Sequence, residues 1–309
     1  MTAARPDTQN ERLFWNRPGL DIVGGRLTIA GRDAETLARE HGTPLYAFDL
    51  QRVAEMVRGL QGALARAGLR HMVRLAMKAQ REPEVLGFVR GLGDPGSPEA
   101  VGLDVCSPRE VLHGLAMGWS PEEISYTGTN VLPGEDHLDL DAYAGILARQ
   151  LGPLDVLVTA EPGDFLFKES GVLLAEVVTV EDRLGTTFVG LDAGWNVMHD
   201  RFIYDVPFEV SLCQAADAAP IARVTISGHI NEGNDLFAED YPMPKVREGD
   251  IVAIINCGGY NQAMTLEHCL RPPAGAVYFE ERLPTPDPGP APGRPDREIP
   301  GAARPKERM

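Results

Sequence analysis

The sequence has no apolar run of about 18 residues, so no segment is expected to span a membrane. Basic residues are in deficit: 29 lysines and arginines stand against 45 acidic residues, which gives a formal net charge of -16. This deficit argues against nucleic acid as a partner, because phosphate binding needs clustered cations. Only four cysteines occur in 309 residues, and their spacing fits neither a disulfide scaffold nor a zinc site. The N-terminus lacks an apolar signal segment, and we therefore predict a cytoplasmic protein.

The first half of the chain alternates strand-like and helix-like segments. Strands are predicted at 71–79, 101–106, 124–128 and 154–159, with amphipathic helices between them. Such alternation is typical of a parallel sheet or a βα barrel. After residue 163 strand-like segments predominate, which predicts a second, all-β domain.

The predicted organisation has five segments. A hairpin is expected over 21–29, where two alternating stretches flank a Gly-Gly pair, and these N-terminal strands should join the β domain. The last segment is rich in proline and glycine and should be disordered. In chain order the segments are a disordered tail (1–12), the N-terminal strands (13–50), the barrel-like part (51–170), the β domain (171–280) and a second disordered tail (281–309).

Two residues at predicted strand ends have side chains suited to cofactor chemistry. Lys78 lies in the apolar segment LAMKAQ, and an isolated lysine there is usually a solvated strand end. The functional interpretation is a Schiff-base lysine, which needs a rigid strand end and a partly dry pocket. Glu161 begins a Glu-Pro-Gly turn. Its carboxylate would also suit the pyridine nitrogen of a cofactor, which it would keep protonated.

Two further segments are polar or rich in glycine. Residues 228–235 read GHINEGND, which alone is only a polar loop. Residues 258–260 read Gly-Gly-Tyr, and such glycines allow a ligand to approach the backbone closely. Each signal is weak by itself, and the order of the signals along the chain gives them weight.

In that order, the segments resemble the family of pyridoxal-phosphate (PLP) dependent decarboxylases that includes the ornithine and diaminopimelate enzymes, which have an alanine-racemase-like barrel. The resemblance runs from about Leu45 to Glu280. The matching segments are LAMKAQ (75–80), GLDVCS (102–107), ISYTG (124–128), Glu-Pro-Gly (161–163), Asp-Ala-Gly (192–194), Asn-Glu with the later aspartate (231–235) and Gly-Gly-Tyr (258–260).

The resemblance implies a cofactor and residues to bind it. Lys78 would hold PLP as a Schiff base, Glu161 would face the pyridine nitrogen, and Tyr260 would contact the phosphate. Asp104 and Gly163 lie in the matching motifs and are implied as further cofactor-binding residues.

The resemblance also implies a substrate side and a dimer. Asn231, Glu232 and Asp235 would act near the substrate side chain, contributed across the interface of a homodimer. The two carboxylates suit a substrate with a distal amine, although a solvated acidic loop fits the same residues. An amino acid would be the small-molecule substrate.

Three departures from the family pattern stand out. Asp164 occupies the position where the family has an arginine, and Asn231 the position of its usual cysteine. Lys78 and Glu161 are only 83 positions apart, whereas seven βα steps between them would need about 200 residues. The barrel would therefore keep only the equivalents of strands 1, 2, 3 and 8. The family's His-Ile-Gly motif and glycine-rich phosphate loop are both missing.

The predicted fold class is α/β plus all-β: a partial (β/α)8 barrel with a C-terminal β domain completed by the N-terminal strands. The strands at 124–128 and 154–159 flank the gap, and they must either pair with each other or stay as open edges. An exposed apolar junction is expected near 130–138. The predicted function is PLP-dependent decarboxylation of an amino acid, and the alternatives are an amino-acid racemase and a non-catalytic, truncated homologue that pairs with a full-length enzyme.

Overall fold

The computed structural model describes residues 17–126, 139–154, 156–204 and 208–284. The predicted tail at 1–12, most of the tail at 281–309 and the predicted apolar junction near 130–138 lie outside these residues. In the part of the chain that is described, no helix combines the length and the hydropathy that a membrane span requires.

The described residues form two kinds of regular element, named here in chain order. The helices are α1 (Ala34–His41), α2 (Leu50–Arg66), α3 (Pro83–Arg90), α4 (Pro108–Ala116), α5 (Leu140–Leu151), α6 (Asp164–Phe167) and α7 (His199–Tyr204). The strands are β1 (Leu20–Val23), β2 (Arg26–Ile29), β3 (Arg32–Asp33), β4 (Leu45–Asp49), β5 (His71–Ala76), β6 (Val101–Val105), β7 (Ile124–Tyr126), β8 (Val158–Ala160), β9 (Gly171–Arg183), β10 (Thr186–Leu191), β11 (Glu209–Leu212), β12 (Ala222–Ser227), β13 (Leu236–Met243), β14 (Ile251–Ile255) and β15 (Gly275–Phe279).

Four parallel strands form the barrel-like part, in the order β7-β6-β5-β8. The first and last strands of the predicted barrel, β5 and β8, are therefore neighbours. The strands that flank the gap, β7 and β8, do not pair with each other and form the two edges of an open sheet. Every residue of the central strand β6 is buried, whereas each edge strand has an exposed residue. The partial barrel predicted from the sequence is confirmed.

The β domain is built on the long strand β9. Its first half lies between β14 and β4, and its second half pairs with β10. Strand β4 also pairs with β15, and the rest of the eight-stranded sheet follows the order β11-β14-β9-β10-β12-β13. The N-terminal strand β4 therefore completes this sheet, as predicted.

The predicted N-terminal hairpin is β1 and β2. Gly24 and Gly25 have φ of +57° and +80°, the left-handed pair that a two-residue hairpin turn needs. Leu27 and Ile29 of β2 are buried in one apolar cluster with Leu174 of β9 and residues of β14. The hairpin therefore packs against the β domain, while the exact domain boundaries stay a prediction.

Some predicted elements were wrong. The strand expected over 154–159 is only Val158–Ala160, and it follows a single 3-10 turn over Gly152–Leu154. Pro153 lies in that turn and has no N–H for a sheet ladder, and β8 pairs with only three residues of β5. Strands β13 and β15 and helix α7 were not predicted.

One apolar core joins the two parts of the molecule. It contains Leu75 of β5 and Leu103 of β6 together with Phe167 and buried residues of β9, β10, β12 and β14. Helix α2 contributes Val53 and Val57 to this core, and the N-cap Asp49 accepts a hydrogen bond from the backbone N–H of Gln51. The site described next lies on this joint framework.

Candidate active site

Three predicted site residues follow the carboxyl ends of neighbouring parallel strands. Lys78 is half-buried in a 3-10 turn, Met77–Ala79, directly after β5. Asp104 near the end of β6 is 4% exposed and pairs in register with Ala76 of β5. Glu161 follows β8 and is exposed. Because carboxyl ends of parallel strands meet at one edge of a sheet, all three side chains lie on the same rim, where barrel enzymes carry their active sites.

The pKa of the Cys106 thiol is influenced by the charges of all three of these residues. Burial raises the pKa of Cys106, the positive charge of Lys78 opposes that rise, and the negative charges of Asp104, Glu110 and Glu161 add to it. Lys78 and Glu161 therefore lie near the same thiol. Among the described residues no hydrogen bond or ion pair occupies the Lys78 ammonium, so its amine is available to a ligand.

Tyr260 joins this rim from the β domain. Its backbone N–H donates to the carbonyl oxygen of Ala79 at 2.9 Å, which fixes it beside Lys78. A β-carbon added at Gly163 would lie 2.8 Å from the Tyr260 hydroxyl oxygen and 3.1 Å from the β-carbon of Ala79. Glycine at 163 therefore leaves the space that the phenol occupies. Burial, reinforced by the negative charge of Asp164, raises the pKa of Tyr260 to about 12, so the hydroxyl is a neutral donor.

Lys168 lies between two carboxylates, and one of them, Asp164, acts on this phenol. Its ammonium forms an ion pair with Asp200, which is 2% exposed, and lies 3.8 Å from Asp164 Oδ2. Burial raises the pKa of Asp164, and Lys168 opposes the rise. Asp164 Oδ1 is buried without a hydrogen-bond partner in the described structure, and a β-carbon at Gly259 would lie 2.4 Å from it. Lys168 was not predicted, and the only signal for it is its position one helical turn after Asp164.

Asp235 is held inside the loop that contains it. The side chain is 3% exposed, and its two oxygens accept hydrogen bonds from the backbone N–H groups of Trp195 (2.8 Å) and Ile230 (2.7 Å). β-carbons at Gly194 and Gly228 would approach this carboxylate to 2.8 Å and 2.3 Å. Both oxygens are thus committed to the folded loop. A contact between Asp235 and a substrate stays a prediction.

Asn231 and Glu232 are exposed on the same loop. Glu232 Oε1 lies 3.5 Å from His268 Nε2. Among the described residues no hydrogen bond or ion pair connects this loop with Lys78. The structure therefore brings together Lys78, Asp104, Glu161, Gly163 and Tyr260 on the rim. The three predicted substrate-side residues lie on the loop between β12 and β13, and their approach to a substrate stays a prediction.

A cavity of about 580 Å³ opens beside this loop. Burial lowers the pKa of His199 in its wall, so the imidazole is neutral at pH 7. Trp195 lies edge-on to His199, with ring centroids 5.7 Å apart. Neither Trp195 nor His199 was predicted, although both follow closely after the Asp-Ala-Gly segment (192–194) that matches a family motif. The lining consists of Trp195, His199, Phe202, Ile203, Asn234, Met264 and Leu266.

The geometry agrees with a comparison against protein families. Residues 45–258 match the family model described as "Pyridoxal-dependent decarboxylase, C-terminal sheet domain". The chain belongs to this decarboxylase family. The match includes the rim residues Lys78, Asp104 and Glu161 and most of the β domain, and it ends two residues before Tyr260.

Curated relatives and solved structures point the same way. The diaminopimelate decarboxylase of Methanothermobacter thermautotrophicus is 22% identical over 398 residues, with 83% of this chain and 91% of the relative covered. The Escherichia coli diaminopimelate decarboxylase is 29% identical over 54% of this chain and 44% of its own length. A crystal structure of diaminopimelate decarboxylase from M. jannaschi has a TM-score of 0.74 at 17% identity, with 84% of this chain and 92% of that one covered.

The first alignment is longer than the chain itself, because 398 aligned positions exceed 309 residues. The alignment therefore contains positions at which the relative has residues and this decarboxylase-family chain has none. Such positions agree with the short separation of Lys78 and Glu161, while their place in the chain stays a prediction.

The residues on the rim fit PLP, the cofactor of this family. Lys78 offers an amine for the aldehyde, and Glu161 an exposed carboxylate for the ring nitrogen. Tyr260 offers a neutral hydroxyl to the phosphate, in a space kept open by Gly163. Lys168, one helical turn after Asp164, is already paired with Asp200.

Proposed function

We propose that this chain is a PLP-dependent decarboxylase of an amino acid, with the cofactor attached to Lys78. The observation that carries the proposal is the meeting of Lys78, Glu161 and Tyr260 on one rim, next to the buried carboxylate of Asp104. An amine, a carboxylate and a phenol arranged in this way match the aldehyde, the ring nitrogen and the phosphate of one molecule of PLP.

Each residue has a defined task in this proposal. The bound cofactor supplies an electron sink for the pair of electrons left when the carboxyl group departs. Glu161 would keep the ring nitrogen protonated, and Tyr260 would donate a hydrogen bond to the phosphate. The Lys78 amine would hold and deliver the proton at the substrate Cα. Asn231 cannot deliver that proton, because an amide is not an acid at neutral pH.

Reductive labelling tests the attachment. The chain is incubated with PLP, reduced with borohydride and digested, and the peptides are analysed by mass spectrometry. The pyridoxyl group should be on Lys78 and should disappear in Lys78→Met, whereas Lys245→Met should keep it, because Lys245 is exposed and distant in sequence from the rim. A label on Lys168 or Lys245 instead would contradict the assignment.

The proposed substrate carries a distal amine, as a diamino acid or a conjugate of one. Asp235 is committed to its loop, so Glu232, contributed by a partner copy, is the exposed carboxylate that remains for that amine. Its neighbour is His268, whose Nε2 lies 3.5 Å from Glu232 Oε1.

Substrate preference tests the role of Glu232. Glu232→Gln should lose most of the preference for lysine over norleucine in carbon dioxide release. Glu239→Gln is the matched control, because Glu239 is exposed on the adjoining strand β13. Equal preference in the two variants would refute the role, and racemisation without carbon dioxide release would favour a racemase.

One observation favours a second candidate, a non-catalytic homologue. The described part of the barrel is an open sheet of four strands, and a closed (β/α)8 barrel needs eight. A chain that neither shifts the absorbance of PLP nor accepts the borohydride label would support this candidate over the enzyme.

A further inference from the structure

The four-stranded sheet has two free edges that are complementary to each other. All four strands are parallel, and β7 and β8 form the two edges. Among the described residues, no strand pairs with the outer side of either edge. Because the strands run in one direction, the free edge of β7 can continue into a parallel ladder with the free edge of a second β8.

We propose that two copies of this chain close one eight-stranded barrel, with β7 of each copy paired to β8 of the other. A two-fold axis along the barrel axis leaves all eight strands parallel, and the two junctions are equivalent. Four contiguous strands are half of the number that closes a (β/α)8 barrel. Closure removes both open edges, which would otherwise invite aggregation.

Strand β8 shows which groups face outward. The N–H of Val158 donates to the carbonyl oxygen of Arg70, and the N–H of Ala76 donates to the carbonyl oxygen of Pro162. Residues 158 and 162 therefore face β5. Since backbone groups alternate from side to side along a strand, the N–H and C=O of Thr159 point away from β5. Thr159 is exposed and is the central unpaired residue of this edge.

The helices beside the two edges have exposed apolar side chains. Helix α4 precedes β7 and exposes Leu112 (67%) and Leu115 (40%), and helix α5 precedes β8 and exposes Ile146 (52%). Helix α5 packs on α2, which precedes β5, so the helices follow the order of the strands around the sheet. In the closed barrel, α4 of one copy therefore lies next to α5 of the other, where these leucines and the isoleucine bury each other.

The partner copy would complete the site as well as the sheet. The rim that carries Lys78 is walled by the strands of one copy only, and the second copy supplies the opposite wall of the barrel. This pairing differs from the homodimer implied by the family resemblance, in which the loop 228–235 reaches across an interface of the β domains. It goes beyond the proposed decarboxylation and does not depend on it.

Engineered cysteines test the pairing of β7 with β8. Three double variants combine Thr159→Cys with Ile124→Cys, Ser125→Cys or Tyr126→Cys, so that the register need not be known. Within one chain these positions are three strand spacings apart, roughly 14 Å, whereas a disulfide needs Cα atoms closer than about 7 Å. Only two different chains can therefore form the bond.

At least one double variant should give a disulfide-linked dimer on oxidation, with the 124–126 and 159 peptides joined in mass spectrometry. The unmodified chain, oxidised in parallel, controls for its exposed Cys269. The unmodified chain should have a mass of twice 33.5 kDa by light scattering. A monomer at high micromolar concentration overturns the proposal, and so does a dimer in which none of the three pairs forms.

A proline at the edge gives a second, independent test. Thr159→Pro removes the outward N–H of β8 and leaves the bonds of Val158 and Pro162 to β5 intact. It should convert the dimer to a monomer, while Thr159→Ala should remain dimeric. A Thr159→Pro chain that stays dimeric with an unchanged circular dichroism spectrum would overturn the proposal. None of these readouts involves PLP, so the proposed function can fail while this inference stands, and the reverse.

Discussion

Replacing Asp235 by alanine should lower the free energy of unfolding, because the carboxylate organises a loop from inside. Both oxygens accept hydrogen bonds from buried backbone N–H groups, at 2.8 Å from Trp195 and 2.7 Å from Ile230. Hydrogen bonds to a charged group contribute about 1.5–3 kcal/mol each. Burial raises the pKa of Asp235, because desolvation disfavours the charged carboxylate. This cost offsets part of the two hydrogen-bond contributions, so the expected loss of stability is at the low end of their sum, about 3 kcal/mol.

The loss should be visible as a lower midpoint of thermal unfolding. For a chain of 309 residues the entropy of unfolding is about 0.65 kcal/mol/K, so a change of 3 kcal/mol corresponds to roughly 5 °C. Differential scanning calorimetry at pH 7 is the assay, with Glu239→Ala as the control, because Glu239 is exposed on the neighbouring strand. Asp235→Asn keeps one acceptor oxygen and should fall between the two.

The same variants separate a structural role from a role at the substrate. If Asp235→Ala unfolds at the same temperature as Glu239→Ala but loses its preference for a diamino acid, the reasoning from these two hydrogen bonds is wrong. If its stability falls and the preference of the remaining folded protein is unchanged, substrate recognition does not involve Asp235.

Two further predictions follow from buried charges. Burial, reinforced by Arg271, lowers the pKa of His229 to about 4. Because the unfolded chain binds the proton more readily, the free energy of unfolding should decrease as the pH falls from about 6.5 to about 4. The full shift corresponds to roughly 3 kcal/mol, but the ring is only half-buried, and solvent screening reduces the effect to about 1 kcal/mol. Urea titrations of His229→Gln should not show this loss over the same pH range. Lys168→Met leaves Asp200 buried without its counter-charge. The free energy of unfolding, measured in urea at pH 7, should fall by roughly 3 kcal/mol or more. A stability equal to that of Lys245→Met would contradict this.

The cofactor rim could be predicted because its signals are local in the sequence. Lys78 and Glu161 each follow a short apolar strand, and the ends of parallel strands meet at one edge. The position of Tyr260 could be inferred only from the family motif. Its contact with the rim is the hydrogen bond that its backbone N–H donates to Ala79, a residue 181 positions earlier in the chain.

The role of Asp235 could not be predicted from the sequence. An aspartate in the polar stretch GHINEGND suggests a solvated or substrate-binding carboxylate. Its partner Trp195 comes from a segment 40 residues earlier, and burial depends on the way that segment folds over the loop. Gly194 and Gly228 were visible in the sequence, but only the structure shows that a β-carbon at either position would collide with this carboxylate.

Strands were missed where tertiary pairing outweighs local preference. Strand β13 reads LFAEDYPM, and its acidic residues and Pro242 are poor strand formers. It forms because β12 offers a partner on one side and because an edge strand tolerates proline on its open side. Strand β15 pairs in parallel with β4, about 230 residues away, and such a long-range partner leaves no local signal.

The four parallel strands of the described residues are a contiguous half of the predicted barrel, which explains how the chain can keep both a core and a candidate site. Strands β5 and β6 contribute Leu75 and Leu103 to a core shared with the β domain, so the half-sheet is stabilised on that side by packing that needs no further strands. The same strands end in Lys78 and Asp104, and the adjoining β8 leads into Glu161. Lys78, Asp104 and Glu161 of the proposed PLP site therefore belong to the half that is described, and in the proposed dimer the opposite wall comes from the second copy.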